Sequence, residues 1–88
     1  MNTVTFEEIS RQLEHFIKST IVDGSTEVKA DTPFHQLGID SMSIIELVLF
    51  LERKYKISLP ETELIPANFK SINTLAECAI RNKNKKKL

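Results

Sequence analysis

Phe34-His35-Gln36-Leu37-Gly38-Ile39-Asp40-Ser41-Met42 is the stretch whose reading decides the fold. It closes a long polar connection and opens the most hydrophobic segment of the chain. Gly38 is one of only two glycines, and a glycine there lets the backbone turn sharply before a helix. Asp40 and Ser41 both carry short oxygen-bearing side chains suited to capping, and apolar periodicity begins directly after them. Ser41 is therefore expected at a helix N-terminus. Unpaired N–H groups and the positive end of the helix dipole favour an anion at such a place.

The helix that follows is expected over Ser41 to about Tyr55. Met42, Ile45, Val48, Leu49 and Glu52 define one side, and Ile44, Leu47, Leu51 and Tyr55 another. It is apolar over more of its circumference than a surface helix needs. Two explanations are open: this helix is central and touched by all the others, or apolar residues near Ser41 face partners.

Toward the N-terminus, residues 20–40 form a connection of unusual length for a small domain, which points to a functional or self-packed loop. Val28, Phe34, Leu37 and Ile39 are expected to pin it to the core. Before it, Phe6, Ile9, Leu13, Phe16 and Ile17 fall on one stripe, which predicts a helix over about 5–19. Thr5 and Glu8 have the spacing of a capping box, and Met1 to Val4 reads as a frayed lead-in. Toward the C-terminus, Ile57 and Leu59 alternate with polar residues but are too few for a strand. Pro60 and Pro66 can each open a short helical turn, and a short third helix is expected near 66–70. A last helix is expected from Asn73 or Thr74, with Leu75, Ala76, Ala79 and Ile80 inward and Thr74–Glu77 as a second capping box.

Eighty-eight residues make a single domain near the lower size limit for one core, expected over about 5–82 with a basic, flexible tail at 83–88. Twelve basic and twelve acidic residues cancel, so charge gives no support for nucleic-acid binding. Residues 1–16 are too polar for a signal peptide, and no apolar run reaches membrane-spanning length. The single cysteine, Cys78, excludes an internal disulfide and fits a reducing, cytoplasmic setting. It sits within an apolar helix pattern, which predicts a small buried residue and not a nucleophile. His15 and His35 are the only histidines, no metal-spaced cluster accompanies them, and His15 reads as a surface residue. A hydrolase built on Ser41 and His35 would need a third, orienting group, and none is visible.

Leu37-Gly38-Ile39-Asp40-Ser41-Met42 resembles the attachment motif of acyl and peptidyl carrier proteins. The resemblance extends to length, helix spacing and the segment Pro66 to Ile72, and covers roughly residues 5–82. It implies an all-α four-helix bundle with a short third helix and a long first loop. It also implies a 4′-phosphopantetheine arm on Ser41, installed from coenzyme A by a phosphopantetheinyl transferase. A phosphodiester on that hydroxyl would lie in the favourable field of the helix end. The chain itself then needs no catalytic residue, because the thiol comes with the arm and the reactions belong to partner enzymes. Those partners would be adenylating, acyltransferring or condensing enzymes, visiting a monomer. Asp40, Met42, Ile44, Ile45 and Glu46 are the residues expected to meet them.

Carriers of fatty acid synthesis are usually strongly acidic along the second helix, whereas this chain is neutral and has Ser43 and Ile44 early in that helix. Leu64-Ile65-Pro66-Ala67-Asn68-Phe69-Lys70-Ser71-Ile72 looks more like freestanding carriers of secondary metabolism, which load amino acids or unusual acyl units. Two alternatives stand beside that expectation. One is a carrier in fatty acid synthesis. The other is a non-carrier helical interaction module in which Ser41 is only a helix cap.

Overall fold

The computed structural model describes residues 4–21 and 25–83. Three α-helices carry the fold: α1 (Phe6–Phe16), α2 (Ser41–Tyr55) and α3 (Ile72–Lys83). No strand occurs among the described residues, as the all-α expectation required. The short third helix is a single 3-10 turn, Pro66–Phe69, with Pro66 at its start. Two further 3-10 turns, Phe34–Leu37 and Glu61–Glu63, punctuate the connections.

α1 begins where Thr5 Oγ1 accepts the Glu8 N–H at 3.1 Å, the hydroxyl half of the expected capping box. Val4, expected to fray, packs half-buried on the core. The α-helical part stops at Phe16 and widens into one π turn, Ile17–Ile21. Ser19 lies in that turn and its hydroxyl donates to the His15 carbonyl at 2.8 Å, a back-bond that competes with regular helix geometry. α2 matches its expected limits. It ends in Lys56, whose left-handed backbone (φ 60°) lets its N–H reach the Glu52 and Leu51 carbonyls.

α3 starts at Ile72, one residue before the earlier of the two expected starts, Asn73 and Thr74. Thr74 is inside the first turn, and its hydroxyl accepts the Ser71 and Lys70 N–H groups at 3.0 and 3.1 Å. Helix start signals mark a neighbourhood, and here the threonine reaches back over the turn in place of capping it. α3 also runs through Lys83, the first residue of the expected tail. Residues 1–3 of the lead-in and 84–88 of the tail lie outside the described residues.

One apolar cluster joins all three helices: Ile9 and Leu13 of α1, Leu47 and Leu51 of α2, and Ile72, Leu75, Ala76 and Ala79 of α3. α1 and α3 share the most extensive contact of the helix pairs, and the small Ala76 and Ala79 side chains in the core favour it. α3 is thus the central helix, with six buried residues against two for α2. The apolar surplus of α2 is therefore not explained by centrality. α2 is tied to α1 at the side by Phe16 stacked on Phe50, with ring centroids 4.7 Å apart, while Tyr55, also on α2, stands edge-on to Phe50.

The long first connection is self-packed, as its length suggested. Val28, Phe34 and Ile39 are buried and Leu37 is half-buried. Two backbone bonds stitch it to the C-terminal third: Phe34 N–H to Lys70 O at 2.7 Å, and Asn73 N–H to Ala30 O at 2.9 Å. Gly38 ends the 3-10 turn in the left-handed region (φ 74°), its N–H bonded to the His35 and Phe34 carbonyls. A Cβ on Gly38 would meet nothing within 4 Å, so the glycine is required by backbone angle and not by space. This turn delivers Ile39 to the core and Asp40 to the mouth of α2.

Candidate functional site at the start of the second helix

Asp40, not Ser41, is the N-cap of α2. Its backbone is extended (φ −102°, ψ −172°), and its Oδ1 accepts the Ser43 N–H at 3.1 Å. That hydrogen bond is the main reason its carboxyl is held below the usual aspartate range, with the nearby Asp40 and Met42 N–H groups adding to it. Ser41 is the first residue of the helix proper. It is exposed, and its hydroxyl makes no hydrogen bond among the described residues. With the capping role filled by its neighbour, Ser41 presents an exposed, unbonded hydroxyl at a helix N-terminus. The reading of Ser41 as only a cap does not survive this geometry.

A groove of about 520 Å³ opens at Ser41. One wall is α2, through Ile44, Ile45, Val48 and Leu49. The other is the segment Leu64-Ile65-Pro66 with Phe69. Met42, Ile45, Leu49, Leu64 and Ile65 are the large apolar side chains left exposed among the described residues. Four of the five line this groove, and the fifth, Met42, follows Ser41 in sequence. Exposed apolar groups gathered at one place mark an interaction surface more often than scattered ones do. Here lies the apolar surplus of α2: it faces outward beside Ser41.

The expected partner-facing residues divide. Met42 and Ile45 are exposed, at 73% and 55%. Ile44 is half-buried and packs on the core while also lining the groove. Glu46 is exposed but lines a second hollow, of about 470 Å³, with Phe16, Thr20, Leu49, Phe50, Arg53 and Lys54. Asp40 acts through the cap and is not part of the groove wall. Leu49, Leu64, Ile65 and Phe69 were not singled out from the sequence. The adjacent apolar pair Leu64-Ile65, set before Pro66 in an otherwise polar connection, was the signal available.

Neither other reactive side chain joins Ser41. His35 lies in the Phe34–Leu37 turn and no hydrogen bond links it to Ser41. Cys78 is fully buried in α3, and burial is the main cause that pushes its thiol up to about 11, with Glu63 adding to it. No group of His, Cys, Asp or Glu among the described residues could hold a metal ion. No helix among them is long and apolar enough to cross a membrane.

Comparison with known proteins places this geometry. A family model described as the phosphopantetheine attachment site matches residues 19–79. The chain is 35% identical over 46 residues to the acyl carrier protein TtuC of Teredinibacter turnerae, a match covering 52% of this chain and 53% of that protein. It thus spans about half the length of that relative. It is 31% identical over 77 residues to the probable acyl carrier protein PigG of a Serratia species, covering 85% of this chain and 88% of that one. The fold matches a chain in the crystal structure of Bradyrhizobium japonicum glycine:carrier protein ligase complexed with its cognate carrier protein and an analogue of glycyl adenylate. That match has a TM-score of 0.69 at 21% identity, over 86% of this chain and 96% of that one.

Proposed function

The chain belongs to the phosphopantetheine attachment site family, whose covalent group is 4′-phosphopantetheine, and from that premise we propose that Ser41 is the attachment point of a single-domain carrier. The observation that carries this is the division of labour at the helix end. Asp40 caps α2, and the exposed Ser41 hydroxyl is left unbonded at the mouth of an apolar groove. When bound, the arm supplies a thiol that holds acyl or aminoacyl groups as thioesters. The chain's own residues do the rest. Ser41 Oγ supplies the oxygen of the phosphodiester, the first turn of α2 favours its negative charge, and the groove rim gives visiting enzymes an apolar surface.

The residues fit the group. A phosphodiester at Ser41 Oγ displaces no existing hydrogen bond, and the chain around it is set by buried anchors, Phe34 and Ile39, that the modification does not touch. The chain needs no catalytic residue of its own under this reading. A phosphopantetheinyl transferase attaches the arm, and adenylating, acyltransferring or condensing enzymes then dock as partners of a cytoplasmic monomer. The carrier domain takes in the whole folded core, from Val4 packed against it to the end of α3 at Lys83.

Secondary metabolism is the favoured setting over fatty acid synthesis. Glu46 is the only acid from Met42 to Leu51 and turns toward the second hollow, so the α2 surface that follows Ser41 is mainly apolar, with Asp40 engaged in the cap. Similarity to a protein named as a probable acyl carrier, PigG, supports the carrier reading, as does the fold shared with a chain of a complex between a ligase and its carrier protein. Intact-mass analysis after incubation with coenzyme A and a broad-specificity transferase tests the assignment. One phosphopantetheinyl group is expected on the native chain and none on Ser41→Ala, whose helical circular dichroism stays intact. An arm retained by Ser41→Ala overturns it.

A further inference from the structure

Leu64 and Ile65 are adjacent large apolar residues, yet they stand 45% and 44% exposed on a segment between two 3-10 turns. Hydrophobic collapse alone would draw them inward, so something holds them out. The restraint is polar, and it sits at both ends of the segment. Glu63 Oε1 accepts from Arg81 Nη2 at 3.1 Å, from Asn68 Nδ2 at 3.1 Å and from Cys78 Sγ at 3.5 Å. The same Asn68 amide donates to the Glu63 backbone carbonyl at 2.7 Å, and Arg81 Nη2 also reaches Asn68 Oδ1 at 3.3 Å. Asn68 is buried and the Glu63 side chain is only 20% exposed. Residues 63 and 68 are thereby fastened to each other and to α3. Of the four residues between them, Leu64, Ile65 and Pro66 form the groove wall opposite α2.

We propose that Glu63, Asn68 and Arg81 are positioning residues. They form a clamp that holds Leu64 and Ile65 beside Ser41, as the second half of the apolar surface that enzymes acting at Ser41 must contact. The proposal rests on the reading of Ser41 as the attachment point. It adds residues that lie away from the reacting oxygen and act only through the wall they hold. The Arg81 hydrogen bond is the main reason the Glu63 carboxyl is held below the usual glutamate range, with Cys78 and Asn68 adding to it. A carboxylate that receives three donors, one from a guanidinium, is a strong joint for so short a segment.

Two readouts test it, and the first needs no arm. In the unmodified chain, backbone order parameters at Leu64 and Ile65 are expected near the rigid value of about 0.85 and to fall below about 0.6 in Asn68→Ala, with α1 and α2 unchanged. Arg81→Gln, which leaves Asn68 in place, provides the same test should Asn68→Ala fail to fold. The second readout is steady-state kinetics of arm attachment by a broad-specificity transferase. Asn68→Ala is expected to raise KM for the carrier about five-fold with kcat within about two-fold, because the oxygen that reacts is not displaced. Leu64→Ala/Ile65→Ala is expected to raise KM similarly, and adding Asn68→Ala to that pair is expected to change little, since the wall it positions is already gone. Unchanged order parameters overturn the clamp. Additive KM effects, or no KM effect from Leu64→Ala/Ile65→Ala, overturn its role in presentation. A native chain that takes up no arm at Ser41 overturns the attachment reading instead, and leaves the order-parameter result to decide the clamp.

Discussion

Thiol labelling of the native chain, before and after arm attachment, separates the structural cysteine from the functional thiol. Cys78 is fully buried in α3, and its Sγ donates to Glu63 Oε1 at 3.5 Å. Burial, followed by the Glu63 hydrogen bond and charge, raises its pKa from 9.0 to about 11. The thiolate is the reactive species, so at pH 8 its fraction drops from about one in ten to about one in a thousand, a loss of roughly 100-fold before steric access is counted. Reaction with a chromogenic disulfide reagent at pH 8 is therefore expected to find no fast thiol in the unmodified chain. After arm attachment it should find one, and after denaturation two. The same shift carries a stability consequence with a definite sign. A folded pKa above the unfolded one favours the protonated thiol, so its contribution is complete below about 9 and is lost as pH rises toward about 11. Denaturant midpoints measured from pH 7 to pH 11 should decline through that window, and Cys78→Ala should flatten the decline. A fast-reacting thiol in the unmodified native chain would refute the burial argument. It would also mean that α3 opens readily at its central turns.

Two further outcomes follow from the packing and from the surface beside Ser41. Leu51→Ala removes a fully buried side chain of α2 and is expected to cost about 2–5 kcal/mol in urea denaturation; Phe16→Ala, which truncates a half-buried ring stacked on Phe50, should cost less, and the reverse order would show that α2 is not anchored where the core places it. Met42→Ala or Ile45→Ala should slow loading by a native partner enzyme more than Glu46→Gln does, with only a modest salt dependence, because apolar anchors set affinity while charged rims set association rate; a dominant Glu46 effect with a steep salt dependence would place the chain among electrostatically steered carriers.

The parts of the fold that were legible in the sequence are those whose causes are local. α2 runs from Ser41 to Tyr55 because a capping residue, an apolar periodicity and a change to polar residues all agree. Thr5 and the stripe from Phe6 to Ile17 place α1 in the same way, and Gly38 marks a turn that its φ of 74° requires. The departures have mixed causes: the first is a local back-bond, the others are non-local. α1 gives way to a π turn after Phe16, in the turn where Ser19 bonds back to His15. α3 begins at Ile72 because the preceding turn is held by Asn73 to Ala30 and Phe34 to Lys70, partners some forty residues away in sequence. No start signal read along one segment carries that information. The same holds for which helix is central. Apolar content pointed to α2, but centrality depends on how closely backbones approach, and that is set by the small side chains Ala76 and Ala79 of α3.

The site was half legible for a related reason. Ser41 stands in a motif, so its place was readable, whereas the surface around it is made of two segments that meet only in the folded chain. From α2 alone, Met42, Ile44, Ile45 and Glu46 were equivalent candidates, yet helix phase and the Phe16–Phe50 stack send Ile44 partly inward and Glu46 to another face. Leu64 and Ile65 would have been assigned to the core by hydropathy. What keeps them outside is a carboxylate, an amide and a guanidinium at positions 63, 68 and 81, each an ordinary surface residue when read singly. Exposed apolar residues are unfavourable, and they persist only where other interactions hold them in place. The sequence of a binding surface is therefore best sought in pairs: an apolar group in a connection, and the polar groups nearby that could fasten its two ends. In this chain that search leads from Leu64 and Ile65 to Glu63 and Asn68, and only the fold adds Arg81.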